Sequence, residues 1–274
     1  MTPEISTLAH RIRMSIIEES YRARVGHIGS ALCVADILAV LFGEAMCLSG
    51  GNDRDRLILS KGHAALALYA ALAASGRMSA KELATFCSEG TPLGAHPEHV
   101  VPGIDFSTGS LGHGLSLGAG ATLAARMQGS DRRSFVLISD AELNEGSVWE
   151  AAMFAAHHRL GRLVAILDLN GQQALGYTRD VLDLSPVANR FSEFGWTVDQ
   201  VDGHDLAQLS RSLTRVGDVN ARPRIVIAKT VFGKGVSYME NRIEWHYLPL
   251  SDEHFAQAMD ELGLELASPE GAYP

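Results

Sequence analysis

Cysteine is scarce in this 274-residue chain, and Cys33, Cys47 and Cys87 form neither a CxxC pair nor a zinc spacing. That excludes a disulfide framework and predicts reduced core thiols in a cytoplasmic protein. No block of Lys or Arg occurs, and 23 basic residues against 32 acidic ones leave a formal net charge of −9. A sequence-blind nucleic-acid binder needs the opposite balance. No run is expected to reach the roughly 18 apolar residues of a membrane span. The start, Met1-Thr2-Pro3-Glu4, lacks the basic and apolar regions of a secretory leader. Thr2 as N-cap, followed by Pro3 and Glu4, instead predicts a helix. Internal repeats, low-complexity tracts and linkers are also lacking. Gly112-His113-Gly114 follows no convincing strand, so the glycine fingerprint of a nicotinamide-binding fold is missing too.

What is present is ordinary globular composition, with 46% hydrophobic and 20% charged residues. Apolar periodicity predicts helices near 4–22, 34–46, 64–75 and 79–88, the last opened by the capping-box pattern Ser79-x-x-Glu82. A further helix over 111–128 carries Gly112, Gly114, Gly118 and Gly120, which implies close approach to another helix or to a ligand. Beyond it, strands are predicted at 135–138, 163–167, 197–201 and 224–229, with helices at 147–159 and near 252–262. This alternation is that of an α/β fold, a parallel central sheet with helices on both faces. Ligands bind such sheets beyond the carboxyl ends of the strands.

Two polar residues stand at those ends, Asp140 after one strand and Asn170 after the next, one βαβ unit apart. A carboxylate, an amide oxygen and a nearby main-chain carbonyl are hard donors suited to Mg²⁺. The plainer alternative is that Asp140 caps a helix and Asn170 sits in a turn with Gly171. Histidines flanked by glycine or proline, His27, His63, His96, His113 and His204, suggest a polar cleft. Imidazole there can donate to oxygen and move protons near neutral pH, although for any one of them a structural hydrogen bond is the alternative.

Asp140-Ala141-Glu142-Leu143-Asn144-Glu145-Gly146, then Trp149-Glu150-Ala151-Ala152-Met153 and Asn170, resemble the thiamine-diphosphate motif of transketolases. Ser60-Lys61-Gly62-His63, Ala95-His96-Pro97-Glu98, Thr108-Gly109-Ser110-Leu111-Gly112, Val201-Asp202-Gly203-His204-Asp205 and Lys229-Thr230 resemble other landmarks of that family, in family order. The resemblance covers essentially the whole chain as one domain, 1–274. It stops where the family's first domain stops.

The resemblance implies the thiamine-diphosphate-binding fold and the N-terminal subunit of a split, two-chain transketolase. Such an enzyme moves a two-carbon ketol unit from a ketose or ketose phosphate to an aldose. Asp140, Asn170 and the main-chain carbonyl of Gln172 would hold Mg²⁺ or another divalent cation. His63, Gly109, Ser110, Leu111, Ala141, Glu142 and His246 would meet the cofactor, together with Asp140 and Asn170. His27, His96 and His246 would serve the sugar and its protons, and Glu145 and Glu150 would lie at an interface between subunits. A second chain with the pyrimidine-binding and C-terminal domains is implied, most simply two copies of each chain. This chain alone would then be inert, with no nucleic acid or membrane among its partners.

Ser139 and Ala141 stand where the family's motif has glycine, Arg24-Val25-Gly26-His27-Ile28-Gly29 departs from its Lys-Ser-Gly-His-Pro-Gly, and Ser110 and His113 replace Pro and Gln. These departures leave room for a specialised biosynthetic paralogue or a non-catalytic one. The α-chain of a 2-oxo-acid dehydrogenase or an acyl-forming thiamine enzyme is the other alternative.

Overall fold

A computed structural model describes residues 3–267; the expected N-cap Thr2 lies outside them. Helix α1 (Pro3–Ala23) leads into α2 (Ile28–Leu32), α3 (Ala35–Val40) and strand β1 (Arg56–Leu59). Then come α4 (Ala65–Ala74), α5 (Ala80–Leu83), α6 (Gly114–Met127), β2 (Ser134–Ser139), α7 (Gly146–His157) and β3 (Leu163–Leu169). A small antiparallel ribbon, β4 (Gln172–Gln173) with β5 (Gly176–Tyr177), passes into α8 (Thr178–Leu182) and α9 (Val187–Glu193). The order closes with β6 (Thr197–Asp202), α10 (Leu206–Leu213), β7 (Arg224–Lys229) and α11 (Asp252–Ala267).

The five longer strands pair in the order β1-β2-β3-β7-β6, all parallel. Strand β2 is buried along its whole length, because helices cover both faces. Its side chains alternate between two cores. Phe135 and Leu137 join Ile12, Ile16, Leu38 and Tyr69 on the face of α1, α3 and α4. Val136 and Ile138 join Leu115, Ala119, Ala152 and Ala155 on the face of α6 and α7. The period of two is that of a strand seen from both sides.

The glycines of α6 serve the sheet, where the sequence left open a second helix or a ligand. A Cβ on Gly118 would lie 2.3 Å from Val136, and one on Gly114 2.3 Å from Ser60, whereas Gly120 faces open space. Gly112 lies before the helix with φ +88.

Other expectations need correction. Strand β1 was not foreseen, since four residues opened by an arginine carry no readable periodicity. The helix over 79–88 is confined to Ala80–Leu83, although its capping box forms, with Glu82 N–H donating to Ser79 Oγ at 3.1 Å. Of the three thiols only Cys33 is buried; Cys47 and Cys87 are exposed and all three are free. Residues 28–45 are, by length and composition, apolar enough to cross a membrane, contrary to expectation. They are 83% buried inside the protein, broken into α2, α3 and a π-helical turn. Asp36 in their midst pairs with Arg13 of α1, its carboxylate accepting both guanidinium nitrogens at 3.1 and 2.5 Å.

Candidate active site

At the carboxyl end of the sheet, β2 and β3 run in register with Ser139 opposite Asp168, so the next residues, Asp140 and Asn170, emerge side by side. Asp140 is 5% exposed. Its Oδ1 accepts the Ala141 amide at 2.9 Å and its Oδ2 the Gly171 amide at 2.6 Å. Asn170 donates from Nδ2 to Asp168 at 3.0 Å and accepts the Gln172 amide on Oδ1 at 2.9 Å. The cap and the turn therefore both exist, and they bring the two expected ligands onto one loop.

Burial, then the charge of Asp168, pushes the Asp140 carboxyl up to about 7. Its neighbour is spared, because Lys61 binds Asp168 at 2.5 Å; burial opposes ionisation of Asp168, yet the ammonium holds it below the ordinary range. A carboxylate destabilised in this way, beside an amide oxygen and main-chain carbonyls, fits a hard divalent cation as the missing counter-charge. Among the described residues no group of three His, Cys, Asp or Glu is placed to hold a metal. Any cation here therefore depends on amide, main-chain and ligand oxygens beside the one carboxylate. Gln172, 3% exposed, has a side-chain amide whose nitrogen and oxygen find no partner among the described residues. A cavity of about 240 Å³ adjoins it, walled by Tyr177, Asn241, Arg242 and Glu244.

Three of the expected histidines form a cluster. The rings of His27 and His63 are 5.3 Å apart and those of His63 and His246 6.5 Å. His27 adopts φ 62 just before α2, and its amide donates to the His246 carbonyl at 3.2 Å. His63 Nε2 lies 2.7 Å from Ser30 Oγ, and His246 stacks on Phe232 with centroids 4.4 Å apart. Gly29 must be glycine here, since a Cβ would fall 2.1 Å from the Phe232 ring. Burial first, and then the charge of Lys61 and of neighbouring imidazoles, lowers all three, His63 well down and His246 to about 4. All three rings are neutral at neutral pH. His96 lies close by, its ring 3.6 Å from where a Cβ on Gly109 would stand.

Two other histidines are placed elsewhere. His113 is exposed at the start of α6. His204 Nδ1 donates to Asp36 at 2.8 Å and its Nε2 accepts the Val231 amide at 2.8 Å, which makes it a structural tie.

The segment Gly109-Ser110-Leu111 is held against Gly62, where a Cβ would meet the Thr108 carbonyl at 3.0 Å. Thr108 in turn donates to the Leu59 carbonyl at 2.6 Å. Ser110 is exposed and Leu111 half-buried. Glu142 departs from its expected role at the cofactor. It has no exposed surface, and its carboxylate accepts the Ser60 hydroxyl, the Gly112 amide at 2.7 Å and the Ser139 amide at 3.3 Å. It organises the glycine loop from within. The Ala141 amide, expected to face phosphate, is taken by Asp140. Neither Ser139 nor Ala141 has positive φ, so neither residue strains the motif. Lys61, Asp168 and Thr230 carry no assigned role in the sequence; their contacts appear only in the folded chain.

Residues 5–270 match the family described as transketolase, thiamine diphosphate binding domain. The chain belongs to the transketolase family. A separately encoded apulose-4-phosphate transketolase subunit of Phocaeicola vulgatus is 38% identical over 254 residues, covering 91% of this chain and 90% of that protein. The 6-deoxy-6-sulfo-D-fructose transketolase subunit SqwG of a Clostridium species is 37% identical over 262 residues, covering 94% and 95%. Among solved structures, Leishmania mexicana transketolase superposes with a TM-score of 0.85 at 28% identity, covering 94% of this chain and 41% of that one. Pichia stipitis transketolase in complex with sedoheptulose 7-phosphate gives 0.88 at 28% identity, covering 96% and 41%. This transketolase domain thus spans about two fifths of those solved chains, and nearly all of the two relatives that are themselves single subunits. These relatives support the transketolase reading and give none to the 2-oxo-acid dehydrogenase alternative.

Proposed function

We propose that this chain is the diphosphate-binding subunit of a two-chain transketolase that uses thiamine diphosphate and a divalent cation, Mg²⁺ by its donor set. The observation that carries this is the buried Asp140 carboxylate, without a counter-charge, on one loop with Asn170 and beside three neutral histidines. Asp140, Asn170 and the Gln172 carbonyl would hold the cation against the diphosphate. Thiamine diphosphate, when bound, supplies the carbanion chemistry that breaks and forms the C–C bond. The protein's part is to orient and to move protons. His63, fixed by Ser30, would donate toward the diphosphate. His27, His96 and His246 would bind the hydroxyls and carbonyl of a ketose, and a neutral imidazole can give or take a proton there. The names of the two relatives, an apulose phosphate and a sulfonated fructose enzyme, favour a ketose with an anionic group as donor.

The second chain would supply the domains that the longer relatives carry beyond this match. Two apolar surfaces suit it. Met153 and Phe154 are exposed on α7 near Glu150, and Leu175, Tyr177 and Leu182 are exposed beside the Gln172 loop. Two copies of each chain is the simplest closed assembly. Three free cysteines fit the reducing cytoplasm as its location. The test is to purify the chain with and without the product of its genomic neighbour and to assay ketol transfer with Mg²⁺ and thiamine diphosphate. Activity is expected only from the mixture. Full turnover by this chain alone, or cofactor-independent turnover by the mixture, would overturn the reading.

A further inference from the structure

Beneath the loop that carries Asn170 lies an ion pair with no exposed surface on either side chain, Lys61 with Asp168. Lys61 Nζ also donates to the Ser30 carbonyl at 3.1 Å. Asp168 accepts the Thr230 hydroxyl on Oδ1, and on Oδ2 the Cys33 thiol at 3.1 Å and Asn170 Nδ2 at 3.0 Å. Burying such a pair brings little net stability compared with apolar packing of the same volume. A role in orienting a neighbour gives a reason for its presence.

That neighbour is Asn170, whose amide has two unlike ends. An ionised carboxylate can only accept, so the NH₂ of Asn170 must face Asp168. Its oxygen must then face the opposite way, where the Gln172 amide donates to it at 2.9 Å and one lone pair is left over. The reversed amide would set oxygen against a carboxylate and NH₂ against an N–H.

We propose that Lys61 and Asp168 are a positioning pair that fixes the Asn170 amide so that oxygen, and never nitrogen, is offered to the divalent cation. The proposal rests on the reading of Asp140 and Asn170 as cation holders. It adds to that reading the residue that sets the handedness of the amide, 107 positions from its lysine. Partners of this kind around metal ligands ordinarily alter affinity about 10- to 100-fold.

The test measures Mg²⁺ affinity by calorimetry on the chain assembled with its partner and with thiamine diphosphate, with thermal melting alongside. Asp168→Asn keeps the shape but can donate as well as accept, so Asn170 is free to turn; Mg²⁺ affinity should fall about 10- to 100-fold. Adding Asn170→Asp to that variant places oxygen on both arms and restores donor-to-acceptor pairing with residue 168. Mg²⁺ affinity should return to within about threefold of wild type, a rescue that a merely structural role would not produce. Thr230→Val removes one bond to Asp168 without touching Asn170, and should lower the melting temperature while leaving Mg²⁺ affinity unchanged. Should Asp168→Asn not fold, Asp168→Glu retains the charge for Lys61 but carries the carboxylate past Asn170, and the same loss of affinity is expected. Unchanged affinity in the position-168 variants, or a loss that Asn170→Asp does not rescue, would overturn the positioning role. If Asp140→Ala also left Mg²⁺ affinity unchanged, the cation site itself would fall, and that failure is separate.

Discussion

Asp140 Oδ2 accepts the Gly171 amide at 2.6 Å, so the end of β2 and the loop after β3 are already tied together by the carboxylate that should take the cation. Asp140 is buried, and its carboxyl lies near 7 against an ordinary 3.8. The cation-free folded chain therefore binds a proton that the unfolded chain has released. That contribution to stability is full below about pH 4 and is lost as pH rises through about 7. We expect the melting temperature of the cation-free chain to carry a component that falls between about pH 5 and pH 8, and that Asp140→Asn removes. Mg²⁺ affinity should rise over the same interval, as the competing proton leaves. Asp140→Ala and Asn170→Ala should each abolish Mg²⁺-dependent binding of thiamine diphosphate by the assembled enzyme while its circular dichroism stays native. Unchanged cofactor affinity in both would remove the site assignment.

The histidine cluster makes a kinetic prediction. His27 sits at φ 62, a region that Asn tolerates and Ala does not, so His27→Asn is the informative substitution. With His96→Ala, it should lower kcat/KM for the ketose about 100-fold or more, while the affinity for thiamine diphosphate changes little. A loss confined to cofactor affinity would move both residues to the diphosphate.

Ser139 and Ala141 replace glycine at positions whose φ is negative. Glycine there would gain nothing in the folded state and would loosen the unfolded one. Ser139→Gly and Ala141→Gly are each expected to lower stability by about 0.5–1 kcal/mol, with no gain in cofactor affinity. Denaturant titration and calorimetry would check both halves.

His204 should behave unlike the other histidines. It bridges Asp36 and the Val231 amide, and Asp36 keeps Arg13 without it. His204→Ala should lower stability by about 1–3 kcal/mol by leaving buried polar groups unmade. Once the variant is assembled with its partner, kcat should be unaltered. A lowered kcat with normal melting would place His204 in the chemistry.

What the sequence determined on its own was whatever is written locally. The apolar runs at 135–138 and 163–167 are strands because a parallel sheet buried on both faces demands them, and the structure pairs them in register. The capping box at Ser79 and Glu82 lies within a single turn of chain. Asp140 and Asn170 were legible because one βαβ unit separates them and both follow strands. Tertiary structure decided the rest. Strand β1 exists because β2 offers it an edge, not because Arg56–Leu59 has a periodicity of its own. Glu142 is drawn away from the cofactor because a glycine loop thirty residues away claims its carboxylate. Lys61 finds Asp168 across 107 residues, and His204 finds Asp36 across 168. Such pairs carry no signal in periodicity or composition. Which buried charge meets which is settled only when the sheet assembles and desolvation makes every unpaired ion costly.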